Sequence, residues 1–96
     1  MNLHIVALFR FRENYLMDAI ELFKKLVAET RKEEGCLQYD LVEDYENKGV
    51  FLMIELWESH EHYLQHDVSD HLRDFRNQSR AMLEDPIQVY KGTKIF

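Results

Sequence analysis

The apolar residues of the chain switch between two spacings, and the switches mark its elements. Leu3-His4-Ile5-Val6-Ala7-Leu8-Phe9-Arg10-Phe11 has strand composition and is apolar on both of its alternating faces. From Glu13 to Lys32 the apolar positions fall at intervals of three and four: Leu16, Ala19, Ile20, Phe23, Leu26, Val27 and Thr30, with charged residues between them. This predicts an amphipathic helix ended by Gly35. Cys36 to Glu43 alternates as a strand, Asp44 to Gly49 is a polar loop, and Val50 to Trp57 returns as the other arm of a hairpin. Ser59 is placed to cap a short helix to about Gln65, and after a break at Asp67-Val68-Ser69 a second helix carries Leu72, Phe75, Ser79, Met82 and Leu83 on one stripe. Pro86 ends that helix, and Ile87 to Phe96 reads as a last strand. The order βαββ(αα)β predicts a ferredoxin-like α+β sandwich, one domain over residues 1–96.

The third strand repeats the two-faced pattern of the first. Val50, Leu52, Ile54 and Leu56 share one face, and Phe51, Met53, Glu55 and Trp57 the other. Helices can cover one side of such a sheet. The simplest cover for the second is another copy, so the pattern predicts a homodimer. With 96 residues and 46% apolar content the chain can bury one core. A formal net charge of −6 without a basic cluster argues against nucleic-acid or anionic-membrane partners. A single cysteine and the absence of a leader or long apolar run point to a reduced, cytoplasmic setting.

The candidate chemistry lies between Glu55 and His71. Glu55 and Trp57 end a strand on one face, and His62, His66 and His71 follow on the helical segment. His62 and His66, four apart, would share a helix face and could hold zinc with His71 or a carboxylate. No HExxH pattern accompanies them and such pairs arise readily by chance, so no metal site is expected. Cys36 has no motif placing a base beside it and reads as a small core residue, and His60 reads as solvent-exposed.

Three segments in order resemble the antibiotic biosynthesis monooxygenase (ABM) domain family: Glu34-Gly35-Cys36-Leu37-Gln38-Tyr39-Asp40, Phe51-x-x-x-Glu55-x-Trp57-x-Ser59, and His66-x-x-Ser69-x-His71. The resemblance covers nearly the whole chain. It implies a dimeric α+β barrel of two ferredoxin-like sheets packed face to face, with a pocket between sheet and helices in each subunit. Family members include quinol monooxygenases working without metal or flavin, an isomerase of phosphorylated autoinducer-2, and haem-degrading enzymes. Fold alone does not choose among them.

A cofactor-free oxygenase needs a base and an apolar pocket, because a deprotonated quinol or enol can pass an electron directly to oxygen. In that reading His66 is the base, Trp57 stacks on the substrate ring, Glu55 orients a histidine or a substrate hydroxyl, and His71 is a second proton handler or a structural neighbour. Tyr39, Phe51 and Phe75 read as core aromatics, with Tyr39 and Phe75 grouped with Trp57 as substrate contacts. Haem degradation is disfavoured because Arg76 stands where those relatives have their axial histidine. The isomerase needs a cationic phosphate site, for which Arg10, Arg12, Arg73, Arg76 and Lys91 are candidates but do not cluster in sequence. A dimer that binds a small apolar ligand without turnover is the third alternative. The expected function is therefore cofactor-independent oxidation of a small quinol or enolisable aromatic by O2.

Overall fold

The computed structural model describes Met1–Phe96. Four strands, β1 (Leu3–Arg10), β2 (Cys36–Glu43), β3 (Val50–Trp57) and β4 (Gln88–Gly92), form one antiparallel sheet in the order β2-β3-β1-β4. Helices α1 (Leu16–Thr30), α2 (His60–Asp67) and α3 (Asp70–Ser79) complete the ferredoxin-like α+β arrangement expected from the element order.

The inner face of the sheet is set by strand alternation. Ile5, Ala7 and Phe9 on β1 lie opposite Glu55, Met53 and Phe51 on β3, and all six are buried. Ala19, Phe23 and Leu26 come down on them from α1, and Leu72 and Phe75 from α3. Phe23 is the hub: its ring lies 5.0–5.5 Å from those of Phe75, Phe9, Phe51 and Phe11. Edge-to-face and tilted contacts of this kind add to the area buried by each ring. The phenylalanines thus fill one end of the space between sheet and helices, and polar aromatics fill the other.

The outer face is also apolar. Val6, Leu8, Leu52, Ile54 and Leu56 sit on it half-buried, and Val42 is exposed.

Two boundaries differ from the sequence expectation. The second stripe does not run helically to Leu83: α3 ends at Ser79, a 3₁₀ turn spans Arg80–Met82, and Leu83 is extended, bridged to Phe11. Arg12 N–H donates to Met82 O at 2.9 Å and Glu84 N–H to Arg10 O at 2.8 Å, so the end of β1 offers this segment strand-like partners. The last strand is shorter than Ile87–Phe96. Gly92 already pairs with His4 near the start of β1, and beyond it the partner strand runs out.

Gly35 joins α1 to β2 at φ +82°, and a Cβ there would collide with the His62 ring. Gly35→Ala is therefore expected to lower stability by about 2 kcal/mol, read as a lower urea midpoint. Adding His62→Ala should recover the steric part and leave the backbone part; an unchanged midpoint in the single variant would contradict this account.

Candidate functional site

The polar end of the core is assembled from three neighbouring elements. On the inner sheet face Glu55 lies between Ile5 of β1 and Tyr39 of β2 in register, and Trp57 follows two residues on. Ser59 caps α2, its Oγ accepting from His62 N–H at 3.2 Å. The His62 ring turns back onto the same hydroxyl, Nδ1 to Oγ 2.7 Å, and packs over Gly35. One helical turn along, Tyr63 and His66 face inward and are buried. Ser69 does not cap α3 with its side chain; its hydroxyl donates to His66 O at 2.7 Å and fixes the break between the helices.

His66, 2% exposed, is held by a residue the motif reading passed over. Glu33, in the turn after α1, places Oε2 2.7 Å from His66 Nδ1 and 2.7 Å from His71 Nε2. A carboxylate oxygen only accepts, so each imidazole turns an N–H toward it. For neutral His66 this fixes the proton on Nδ1 and makes Nε2 the acceptor. Nε2 faces the Tyr39 hydroxyl at 3.5 Å, and the indole of Trp57 lies against the imidazole, ring centres 4.7 Å apart. Burial lowers the His66 pKa, with the Glu33 hydrogen bond pulling the other way. The imidazole is thus a neutral acceptor at neutral pH.

Glu55 does not hold a histidine, the first of the two roles expected of it. Trp57 Nε1–H donates to Glu55 Oε1 at 2.9 Å, and the carboxylate that orients the histidine is Glu33. Burial pushes the Glu55 pKa up to about 7, against the Trp57 hydrogen bond, with Glu33 raising it further. The Tyr39 phenol is raised well above its ordinary value by burial and then by Glu55, and so stays a donor. Burial also raises the Cys36 thiol to about 11, which removes it as a nucleophile at neutral pH.

A cavity of about 40 Å³ opens beside these groups, with Tyr39, Glu55, His66 and Arg76 as polar wall and Phe9, Leu72, Phe75 and Ile87 among the apolar residues. That volume suits water-sized guests. A surface hollow of about 440 Å³ adjoins it, sharing Arg76 and Ile87 as common wall. Of the residues singled out in the sequence, His66, Glu55, Tyr39 and Phe75 line the cavity. Trp57 stands behind His66, fully buried, and His71 reaches the cluster through Glu33. His62 does not join the Glu33–His66–His71 cluster: its Nδ1 is held on the Ser59 hydroxyl and its ring packs over Gly35.

Four of the five candidate cations are already engaged. Arg76 donates to Asp67 O at 3.1 Å and Asp67 Oδ1 at 2.6 Å, Arg73 pairs with Asp70 and Arg10 with Asp85, and Lys91 Nζ lies 5.1 Å from the Tyr63 ring centre. They do not converge into a phosphate cradle. No helix is long and apolar enough to cross a membrane.

The inner face of the ferredoxin-like sheet thus carries a small, partly open cavity with a carboxylate-held imidazole in its wall. The chain belongs to the antibiotic biosynthesis monooxygenase family, whose model matches residues 2–78. It is 31% identical over 80 residues to "Putative monooxygenase YcnE" of Bacillus subtilis (strain 168), covering 83% of this chain and 80% of that protein. Among solved structures, a conserved protein from Methanosarcina mazei Go1 superposes with a TM-score of 0.94 at 26% identity, covering 98% of this chain and 93% of that one. Rv0793 from Mycobacterium tuberculosis does so at 0.94 and 25% identity, covering 100% and 97%.

The raised Glu55 pKa has a consequence for stability. The folded state prefers the protonated acid, so its contribution is fully present below the unfolded value of 4.5 and is lost as pH rises through about 7. Glu55→Gln, which keeps an acceptor for Trp57, lacks this loss. Urea titrations should show the variant gaining up to about 3 kcal/mol on the parent between pH 4 and pH 8; a difference independent of pH would contradict the assignment.

Proposed function

We propose that the protein is a cofactor-independent monooxygenase of a small quinol or enolisable aromatic, acting as a cytoplasmic homodimer with His66 as its base. The observation that carries the reading is the 2.7 Å bond between Glu33 Oε2 and His66 Nδ1, which leaves Nε2 as an acceptor in the cavity wall, facing the Tyr39 hydroxyl. Membership of a family described as monooxygenases supports the reaction class.

In this reading a substrate hydroxyl enters between Tyr39 and His66 and gives its proton to Nε2. The electron-rich anion passes one electron to O2, and the two radicals combine at a ring carbon to give a peroxide. His66 returns the proton to the peroxide. Loss of the ring C–H proton with the departing hydroxide forms water and a quinone carbonyl, so one oxygen atom enters the product and the other leaves as water. The Tyr39 hydroxyl and the Arg76 guanidinium, both in the cavity wall, stabilise negative charge as it moves to oxygen. Glu33 stabilises the imidazolium that forms, the role of an orienting carboxylate behind a catalytic histidine.

A ring needs more room than 40 Å³. The half-buried Ile87 separates the cavity from the outer hollow, and its displacement would join the two. The second copy of the chain would cover Val6, Leu8, Leu52, Ile54 and Leu56, which no helix of this chain covers.

Oxygen uptake by metal-stripped protein on a panel of hydroquinones and catechols tests the chemistry. Uptake above the spontaneous rate is expected, falling roughly 10²- to 10⁴-fold in His66→Ala and by at least about tenfold in Glu33→Gln. Ligand binding with no uptake on any substrate would overturn the enzyme in favour of a binding protein. Light scattering should give twice the 11.7 kDa chain mass, and Ile54→Asp should shift it toward one chain; a parent that stays monomeric at micromolar concentration would overturn the dimer.

A further inference from the structure

The Glu33–His71 side of the cluster lies outside the cavity lining. His71 lines a groove of about 400 Å³ between α1 and α3, together with Lys25, Glu29, Asp70 and Asp74. His71 is 20% exposed at its side chain and Glu33 16%, so solvent reaches the cluster without passing the cavity. The three groups that meet there, two imidazole nitrogens and a carboxylate oxygen, are those that bind zinc-class ions.

We propose that Glu33 Oε2, His66 Nδ1 and His71 Nε2 form a binding site for a divalent zinc-class ion, and that an ion held there switches off the base on His66. The three atoms lie within 4.8 Å of one another, and the carboxylate oxygen is 2.7 Å from each nitrogen. Ligand atoms around a tetrahedral zinc, with bonds of about 2.0–2.2 Å, stand roughly 3.3–3.5 Å apart. Small rotations of the partly exposed Glu33 and His71 therefore suffice, and His66 can stay in its buried place. Solvent from the groove supplies the remaining position. A net charge of −6 favours accumulation of cations near the chain.

The switch follows from the two nitrogens of one ring. In the hydrogen-bonded cluster the His66 proton sits on Nδ1 and the lone pair on Nε2. To ligate an ion through Nδ1, neutral His66 must carry its proton on Nε2, facing Tyr39. Nε2 then donates and cannot accept a substrate proton. His71 likewise moves its proton from Nε2 to Nδ1, and no net proton is released. Metal binding stands on the geometry alone, whereas its inhibitory effect rests on the reading of His66 as base.

Tag-free, chelator-treated protein titrated calorimetrically with ZnCl₂ tests the site, with the visible absorption of bound Co²⁺ reporting coordination. One ion per chain is expected, with affinity at least about tenfold weaker in Glu33→Gln and in His71→Ala and unchanged in His62→Ala and His60→Ala. Circular dichroism checks that each variant is folded, and Glu33→Gln keeps the side-chain shape if His71→Ala does not fold. No saturable binding, or binding unaffected by Glu33→Gln, would overturn the site. ¹⁵N spectra of the imidazoles test the switch without any substrate: zinc should move the His66 proton to Nε2, and a proton remaining on Nδ1 at saturating zinc would overturn it. Oxygen uptake, where found, should fall in step with occupancy; a failure to find any substrate would count against the monooxygenase and leave the titration and the spectra standing.

Discussion

One carboxylate oxygen fixes the chemistry of this molecule. Glu33 Oε2 takes an N–H from each of two histidines that lie 33 and 38 residues further along the chain. Without it the His66 ring, buried to 2% exposure, would have an unpaired polar edge in the core and no reason to prefer one tautomer. Burial keeps the ring neutral, and the Glu33 bond turns its acceptor toward Tyr39 and the cavity. The cost of burying an imidazole is offset by a short hydrogen bond to a group that keeps some contact with water.

The rest of the fold serves that placement. The Gly35 turn packs against the His62 ring of α2, and the Ser59 cap fixes the start of the helix from which His66 faces inward. The Ser69 hydroxyl on His66 O holds the break that lets His71 swing back to the same carboxylate. Across the core the phenylalanine cluster around Phe23 ties β1, β3, α1 and α3 together, so the polar groups at the other end rest on rigid elements. The outer face of the sheet takes no part in the site, yet its apolar rows are as regular as those inside.

The sequence carried most of the fold because its signals are periodic. The hairpin from Cys36 to Trp57, the helix stripe through Phe23 and the Ser59 cap are each visible over a few residues, and the structure has them. The end of α3 and the length of β4 were not legible in the same way, since both depend on where β1 supplies partners for backbone groups. The site was legible in its parts and not in its wiring. His66, Glu55 and Tyr39 were picked out by type and position, but of the two roles expected of Glu55, orienting a histidine or a substrate hydroxyl, the first belongs to Glu33, while Glu55 receives the Trp57 indole N–H. Glu33 was missed because it is one of two adjacent glutamates before Gly35, and nothing local tells which points inward. Its partners are far away in sequence, and only the closed fold brings them within 2.7 Å.

The most direct test of the account is the protonation state of His66 itself, read from ¹⁵N-resolved spectra of the metal-free protein at neutral pH. The Glu33 bond predicts a protonated Nδ1 and an unprotonated Nε2, a preference that Glu33→Ala should abolish. A proton on Nε2 in the parent protein would contradict the account, because the nitrogen facing the cavity would then be a donor and His66 could not serve as its base.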